Sequence, residues 1–153
     1  MVRQVAGDMP GVPGTALLSR WAEAAIDGAG GDADGRELTV RVVGEAESRE
    51  LNRAWRGKDR PTNVLAFPAG PAGDGPAVSE YPLGDLVVCA PVVLREAEAQ
   101  GKTAESHWCH MVVHGTLHLL GFDHQTAAEA ARMEALEIDV LARLGFPDPY
   151  DER

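Results

Sequence analysis

The sequence contains few cysteines and no long apolar run. Only Cys89 and Cys109 are cysteines, and neither belongs to a Cys-x-x-Cys pair, so we expect two buried free thiols in a reducing compartment. No apolar run approaches the roughly 20 residues of a membrane helix, and residues 1–10 lack the apolar core of a secretory signal. These absences predict a cytoplasmic protein that does not enter a membrane.

Positive charge is also scarce, which argues against a general nucleic-acid binder. The chain has 14 lysines and arginines against 24 acidic residues, a formal net charge of −10. Five basic residues nevertheless lie within twelve positions: Arg49, Arg53, Arg56, Lys58 and Arg60. Such a stripe can bind phosphates while the acidic remainder repels non-specific nucleic acid. The alternative is a solvated helix end whose charges complement the helix dipole.

The order of the predicted elements indicates an α+β fold in one domain, residues 1–153. Strands are expected near residues 2–6, 38–43, 62–67 and 85–89, and helices near 15–27, 45–53, 92–100, 105–120 and 126–144. Because strands dominate the first part and helices the second, we expect a small mixed β-sheet packed against several helices. Residues 68–82, rich in glycine and proline, are either a connector or a flap.

All five histidines lie between residues 107 and 124. On a helix, four of them fall within an arc of about 80°: His107, His110, His114 and His118. His114 and His118 are one turn apart and can direct two imidazoles at one ion. Gly121 can end the helix with a positive φ, so that the chain turns back and brings His124 to the same point. Three nitrogens with an open fourth position are typical of a catalytic zinc site, which predicts one Zn²⁺ per chain on a zinc-hydrolase-like helix.

Packing alone explains this pattern poorly, because the same segment has enough valine and leucine to fill a core. For His107 and His110, however, we prefer the ordinary interpretation of a solvated or capped histidine near a helix start over a place beside the metal or the substrate. Cys109 would lie about 140° around the helix from His114, so it is not predicted to be a ligand.

The spacing also matches the zinc proteases of the metzincin type, with one difference. His114, His118, His124 and Gly121 occupy the metzincin offsets, but Gly115 stands where those enzymes carry their general-base glutamate. Peptidase activity is therefore disfavoured, although the metal geometry is retained. Glycine at 115 would be required either because a carboxylate would repel an anionic substrate, which we prefer, or because the helix packs closely there.

The histidine segment resembles a known signature. Residues 114–124, His-Gly-Thr-Leu-His-Leu-Leu-Gly-Phe-Asp-His, are similar to the H-G-x-L-H-L-x-G-[YF]-D-H motif of the YbeY family, bacterial endoribonucleases that act in ribosomal RNA maturation. The resemblance continues, in the family's order, in residues 51–68, 83–89 and 133–137. Ala66 is a departure, because the family commonly has serine at that position.

The resemblance implies a zinc-dependent, single-strand-directed endoribonuclease that matures the 3′ end of 16S ribosomal RNA and acts in ribosome biogenesis. Its implied partners are RNA and the ribosome, with contacts to ribosomal proteins or assembly factors. Arg56 matches the family's functional arginine, and Arg56 and His114 are the predicted catalytic residues. The predicted substrate-binding residues are Arg53, Arg56, Lys58 and Arg60.

In the predicted mechanism, zinc on the three histidines activates a water molecule or polarises a phosphoryl oxygen, and Arg56 offsets the charge of the transition state. A guanidinium suits this role because it binds two phosphate oxygens and stays charged. Asp123 either acts in the site, where it orients a histidine or accepts a proton, or only shapes the turn before His124. Two other functions are compatible with the sequence: a non-catalytic RNA-binding assembly factor with a structural zinc, and a zinc hydrolase with a small substrate.

Overall fold

The computed structural model describes residues 2–4, 11–31, 36–69 and 82–151. Most of the predicted connector or flap at 68–82 lies outside these residues. The described elements follow in chain order: β1 (Val2–Gln4), α1 (Thr15–Gly28), β2 (Leu38–Val43), α2 (Glu45–Arg56), β3 (Val64–Pro68), β4 (Gly84–Cys89), α3 (Ala90–Ala99), α4 (Ala104–Leu119) and α5 (Ala127–Arg143). Within these ranges we find no helix whose length and apolar character would let it cross a bilayer.

The strands form one mixed sheet in the order β1-β2-β4-β3, which confirms the predicted α+β class. β2 is parallel to β1 and β4, whereas β3 is antiparallel to β4. Because side chains alternate across a strand, Leu86 and Val88 face a large core beneath α1, α4 and α5. Val87 and Cys89 face a smaller core on the other side, where α2 packs. β3 therefore lies at one end of the sheet, next to α4.

Helix α4 is the most deeply buried helix of the fold. It contacts α1, α3, α5 and the sheet, and its residues Trp108, Val112 and Leu117 are almost fully buried. Thr103 caps its N-terminus, because the hydroxyl accepts a hydrogen bond from the Ser106 amide at 3.1 Å. The predicted buried thiols are confirmed, and burial raises the pKa of Cys109 to about 12.

Helix α5 packs along α4 and carries an acidic residue in its apolar stripe. It begins with a capping box in which Thr126 and Glu129 exchange side-chain and backbone hydrogen bonds. Its buried positions include Met133, Glu137 and Val140, at the spacing of one helix face. The Glu137 carboxylate is thereby placed inside the core, against α4.

Candidate metal centre

Three histidines converge at the C-terminal end of α4. The Nε2 atoms of His114 and His118 are 3.2 Å apart, and the ring of His124 lies 5.1 Å from that of His118. One ligand nitrogen from each histidine lies within 4.8 Å of the other two. Nitrogens bound to a tetrahedral zinc ion at 2.0–2.1 Å are about 3.3 Å apart, so this group needs little movement to hold the ion. His114 and His118 are half-buried and His124 is exposed, so the group is open on one side.

The turn that returns His124 to the helix depends on Gly121 and Asp123. Gly121 has φ +100°, a conformation that L side chains rarely adopt, and its amide donates to the His118 carbonyl at 3.0 Å. The Asp123 carboxylate accepts a hydrogen bond from the His124 amide at 2.7 Å. This contact is the one expected of a residue that shapes the turn, which was one of the two interpretations of Asp123 from the sequence.

A buried carboxylate orients His114 from behind. Glu137 Oε1 lies 2.7 Å from His114 Nδ1 and 3.0 Å from His110 Nε2, and the Glu137 side chain is only 1% exposed. Burial raises the pKa of Glu137, but the hydrogen bonds from His110 and His114 outweigh it and hold that pKa at about 2. An ionised carboxylate only accepts, so His114 carries its proton on Nδ1 and directs the Nε2 lone pair at the other two histidines.

The donor set fits a zinc ion. Burial and the neighbouring His114 and His124 lower the pKa of His118 to about 4, which keeps its imidazole in the neutral form that a metal ion requires. His110, His114 and Glu137 form a second group close enough to hold an ion. Because the Glu137 contacts to both histidines have hydrogen-bond lengths, that second group is better described as the support of the first.

His107 and His110 are neither solvated nor capped, so that prediction is wrong. Their exposed fractions are 2% and 7%. His107 Nε2 lies 2.8 Å from Glu96 of α3, and burial lowers the pKa of His107. His110 bonds to Glu137 of α5. The reason is tertiary: the first turns of α4 are covered by neighbouring helices that bring carboxylates to both rings.

Glu137 is the functional residue that the sequence interpretation missed. The residue lies in one of the segments that resemble the family, but no role was assigned to it. The spacing of the apolar residues indicates that Glu137 is on the buried face of the helix, because it falls four residues after Met133 and three before Val140. A carboxylate in an apolar stripe is expected to have a specific partner, and in this chain the partners are histidines.

Basic residues at the end of α2 and in the loop after it share a cavity with the three histidines. The cavity has a volume of ≈ 610 Å³, and its wall includes Arg56, Lys58, Arg60, Ala66 and all three metal-site histidines. Arg53 does not line it. Arg53 lies 3.7 Å from Glu50, beside a separate depression of the surface. The structure therefore brings together three of the four predicted substrate-binding residues.

The loop that carries Lys58 and Arg60 is fastened to α2. Gly57 ends the helix with φ +70°, and its amide donates to the Arg53 carbonyl at 3.1 Å. The side-chain amide of Asn52, which is buried, then donates to the Arg60 backbone carbonyl at 2.8 Å. The loop is thus fixed by hydrogen bonds to the preceding helix, and it faces the end of α4.

Gly115 is required by close packing of α4 on the sheet. A Cβ atom at this position would lie 2.7 Å from Leu86 Cδ2 and 3.3 Å from Val64 Cγ2, and Leu86 is fully buried. Even a methyl group would therefore displace the core. Packing is sufficient to explain this glycine, and the charge interpretation that the sequence favoured stays a prediction.

Comparison with known proteins places these features in one family. Residues 14–145 match the family model described as Endoribonuclease YbeY. Two curated proteins named Endoribonuclease YbeY are similar over 141 residues: that of Halorhodospira halophila is 55% identical, covering 92% of this chain and 90% of the relative, and that of Stutzerimonas stutzeri is 56% identical, covering 92% and 84%. A solution structure from Thermotoga maritima is similar with a TM-score of 0.59 and 28% identity, covering 99% of both chains.

Proposed function

The chain belongs to the YbeY family of endoribonucleases, and from this premise we propose that it is a zinc-dependent enzyme that cleaves single-stranded RNA. Its proposed role is ribosomal RNA processing at the 3′ end of 16S ribosomal RNA, within ribosome biogenesis in the cytoplasm. The observation that carries this proposal is the single cavity that combines a metal-binding histidine group with a basic wall.

His114, His118 and His124 would hold the ion in this proposal. When bound, zinc supplies a Lewis acid for a phosphate oxygen and lowers the pKa of water at the site. The protein's own contribution is orientation: Glu137 keeps the proton of His114 on Nδ1, and the Gly121 turn keeps His124 beside the helix. Gly115 leaves the helix without the carboxylate that zinc peptidases use as a base.

Arg56, Lys58 and Arg60 bind the RNA backbone across the cavity from the histidines. These three side chains make one wall of the cavity positively charged, although the net charge of the chain is −10. Arg56 can bind two phosphate oxygens at once and stabilise the additional negative charge that develops during cleavage. A strand must enter a concave site to reach the histidines, and an unpaired strand can do so with its bases splayed out, which a duplex cannot.

The two other functions are less well supported. A zinc ion that served only to hold the His124 loop would be expected to have four protein ligands, whereas the described part of the chain offers three in an open group. A zinc hydrolase with a small substrate has a use for a wall of three cations only if that substrate is anionic, whereas an RNA strand carries enough phosphates to contact all three. The cavity therefore favours RNA over both alternatives.

Two arginines on α2 provide the test. We expect Arg56→Ala to slow cleavage of a single-stranded RNA by about 10²-fold, the lower end of the loss when one transition-state donor is removed. Arg53→Ala, three residues earlier on the same helix, should cleave at nearly the wild-type rate because Arg53 does not line the cavity. Single-turnover cleavage of a labelled single strand, with a duplex of the same sequence as a second substrate, measures both effects.

The proposal fails if the wild type cleaves neither substrate. If Arg53→Ala and Arg56→Ala lose the same amount of activity, the proposed role of Arg56 in the cavity is wrong, because of the two only Arg56 lines the cavity. Preference for the duplex would contradict the single-strand specificity alone.

A further inference from the structure

The segment after α5 returns to the rear of the metal centre. Gly145 turns the chain with φ +90°, and Phe146 then packs edge-on against Trp21 with ring centroids 6.1 Å apart. Further along, the Lys102 ammonium donates to the Pro149 carbonyl at 2.7 Å. The segment is thus fastened to α1 and to the residues just before α4. It lies beyond residue 145, where the match to the family model ends.

Tyr150, near the end of this segment, contacts the support of the metal centre. Its hydroxyl donates to Glu137 Oε2 at 2.6 Å, and its ring lies edge-on to His110 with centroids 5.4 Å apart. Tyr150 is 41% exposed whereas Glu137 is fully buried, so the tyrosine ring separates the carboxylate from solvent. Burial and the Glu137 carboxylate raise the pKa of Tyr150, so its hydroxyl remains a donor at neutral pH.

The three hydrogen bonds to Glu137 divide between its two oxygens. His110 and His114 both donate to Oε1, and Tyr150 donates to Oε2. Contacts to Oε1 alone would leave the carboxylate free to rotate about that oxygen. The Tyr150 hydroxyl removes this freedom, since it holds the second oxygen.

We propose that Tyr150 is a positioning residue of the metal centre: its hydroxyl fixes the Glu137 carboxylate, and the carboxylate in turn fixes the direction of the His114 Nε2 lone pair. This inference rests on the proposed function, in which His114 holds zinc. Residues that orient a metal ligand commonly change metal affinity by about 10–100-fold when they are replaced.

Loss of the hydroxyl leaves Glu137 Oε2 as a buried, ionised oxygen that needs a new donor. The carboxylate then moves towards water, and the movement weakens the Oε1 contact with His114. Tyr150→Phe keeps the ring over Glu137 and removes only this donor. We expect its zinc affinity to be about tenfold below that of the wild type, because Tyr150 acts through one intervening residue.

Competition for Zn²⁺ between the full chain and a chromophoric chelator measures this effect without any assay of RNA cleavage. Phe146→Leu is the matched control, because Phe146 belongs to the same segment but packs on Trp21. It should lower the unfolding temperature of the metal-free protein and bind zinc like the wild type. Tyr150→Phe should show the reverse pattern, with a small change in unfolding temperature and a clear loss of affinity.

A double-mutant comparison tests the route through Glu137. In a Glu137→Ala protein, which has no side-chain partner for the Tyr150 hydroxyl, adding Tyr150→Phe should cause no further loss of zinc affinity. Wild-type affinity in Tyr150→Phe, or a second tenfold loss in the Glu137→Ala protein, would overturn the inference while leaving the proposed function intact. A wild-type protein that takes up no zinc would overturn both.

Discussion

Replacing His114 with alanine is expected to abolish RNA cleavage and to leave much of the RNA affinity. His114 contributes one of three converging nitrogens, and two remaining histidines hold zinc far more weakly than three. In the proposed function the phosphate contacts come from Arg56, Lys58 and Arg60, which line the same cavity and are unchanged by the substitution. We expect a loss of about 10³-fold or more in the cleavage rate, the scale seen when a member of a catalytic group is removed.

The comparison requires wild type and His114→Ala purified in parallel, with cleavage and binding measured on the same RNA. His118→Ala provides a second loss of a ligand and should behave in the same way. Cleavage that survives in both variants at the wild-type rate would show that the histidine group is not the active site, or that a contaminating ribonuclease is responsible. Loss of binding in step with cleavage would instead show that the histidine group, and not only the basic wall, contributes to RNA affinity.

Replacing Glu137 with alanine is expected to destabilise the metal-free protein by about 3 kcal/mol or more. The substitution removes the charged acceptor of three hydrogen bonds. Each hydrogen bond to a charged group contributes about 1.5–3 kcal/mol to the free energy of unfolding. Water can replace part of this contribution at His114 and Tyr150. Zinc affinity should fall as well, by about 10–100-fold. Urea unfolding of the metal-free chain separates the first effect from the second.

Asp139→Ala is the control on the same helix, because Asp139 is half-exposed and its pair with Arg143 lies on the surface. It should change the unfolding free energy by less than about 0.5 kcal/mol. A Glu137→Ala protein as stable as the Asp139→Ala protein would contradict the support that we assign to this carboxylate.

The convergence of His114, His118 and His124 could be predicted from the sequence because their geometry is local. His114 and His118 are one helical turn apart, and Gly121 supplies the left-handed turn that brings His124 back within three residues. The strand at 38–43 and the alternation of strands and helices were predictable for the same reason, since periodicity acts over a few residues.

The features that could not be predicted depend on contacts between distant segments. The burial of His107 and His110 is decided by Glu96 and Glu137, which lie on two other helices. Tyr150 approaches Glu137 only because the segment after α5 folds back along α4. The need for glycine at 115 follows from the position of Leu86 on β4. In each case the two residues lie far apart in the sequence, so the periodicity within one helix or strand does not predict their contact.

The separation of Arg53 from Arg56 has a similar origin. Both residues belong to the same helix and to the same basic stripe. The cavity is completed by the loop after Gly57 and by the end of α4, and α2 borders it through Asn52 and Arg56, which are four residues apart on one helix face. A count of charges along the chain identified the region, but tertiary packing decides which of its members face the histidines.

The most direct test is the metal content of the protein and its relation to cleavage. Elemental analysis of protein purified without added metal should find about one zinc per chain, held by three histidines. Stripping that ion with a chelator should stop RNA cleavage, and returning one equivalent of Zn²⁺ should restore it. Metal-free protein that still cleaves RNA in the presence of the chelator would contradict the zinc-dependent mechanism.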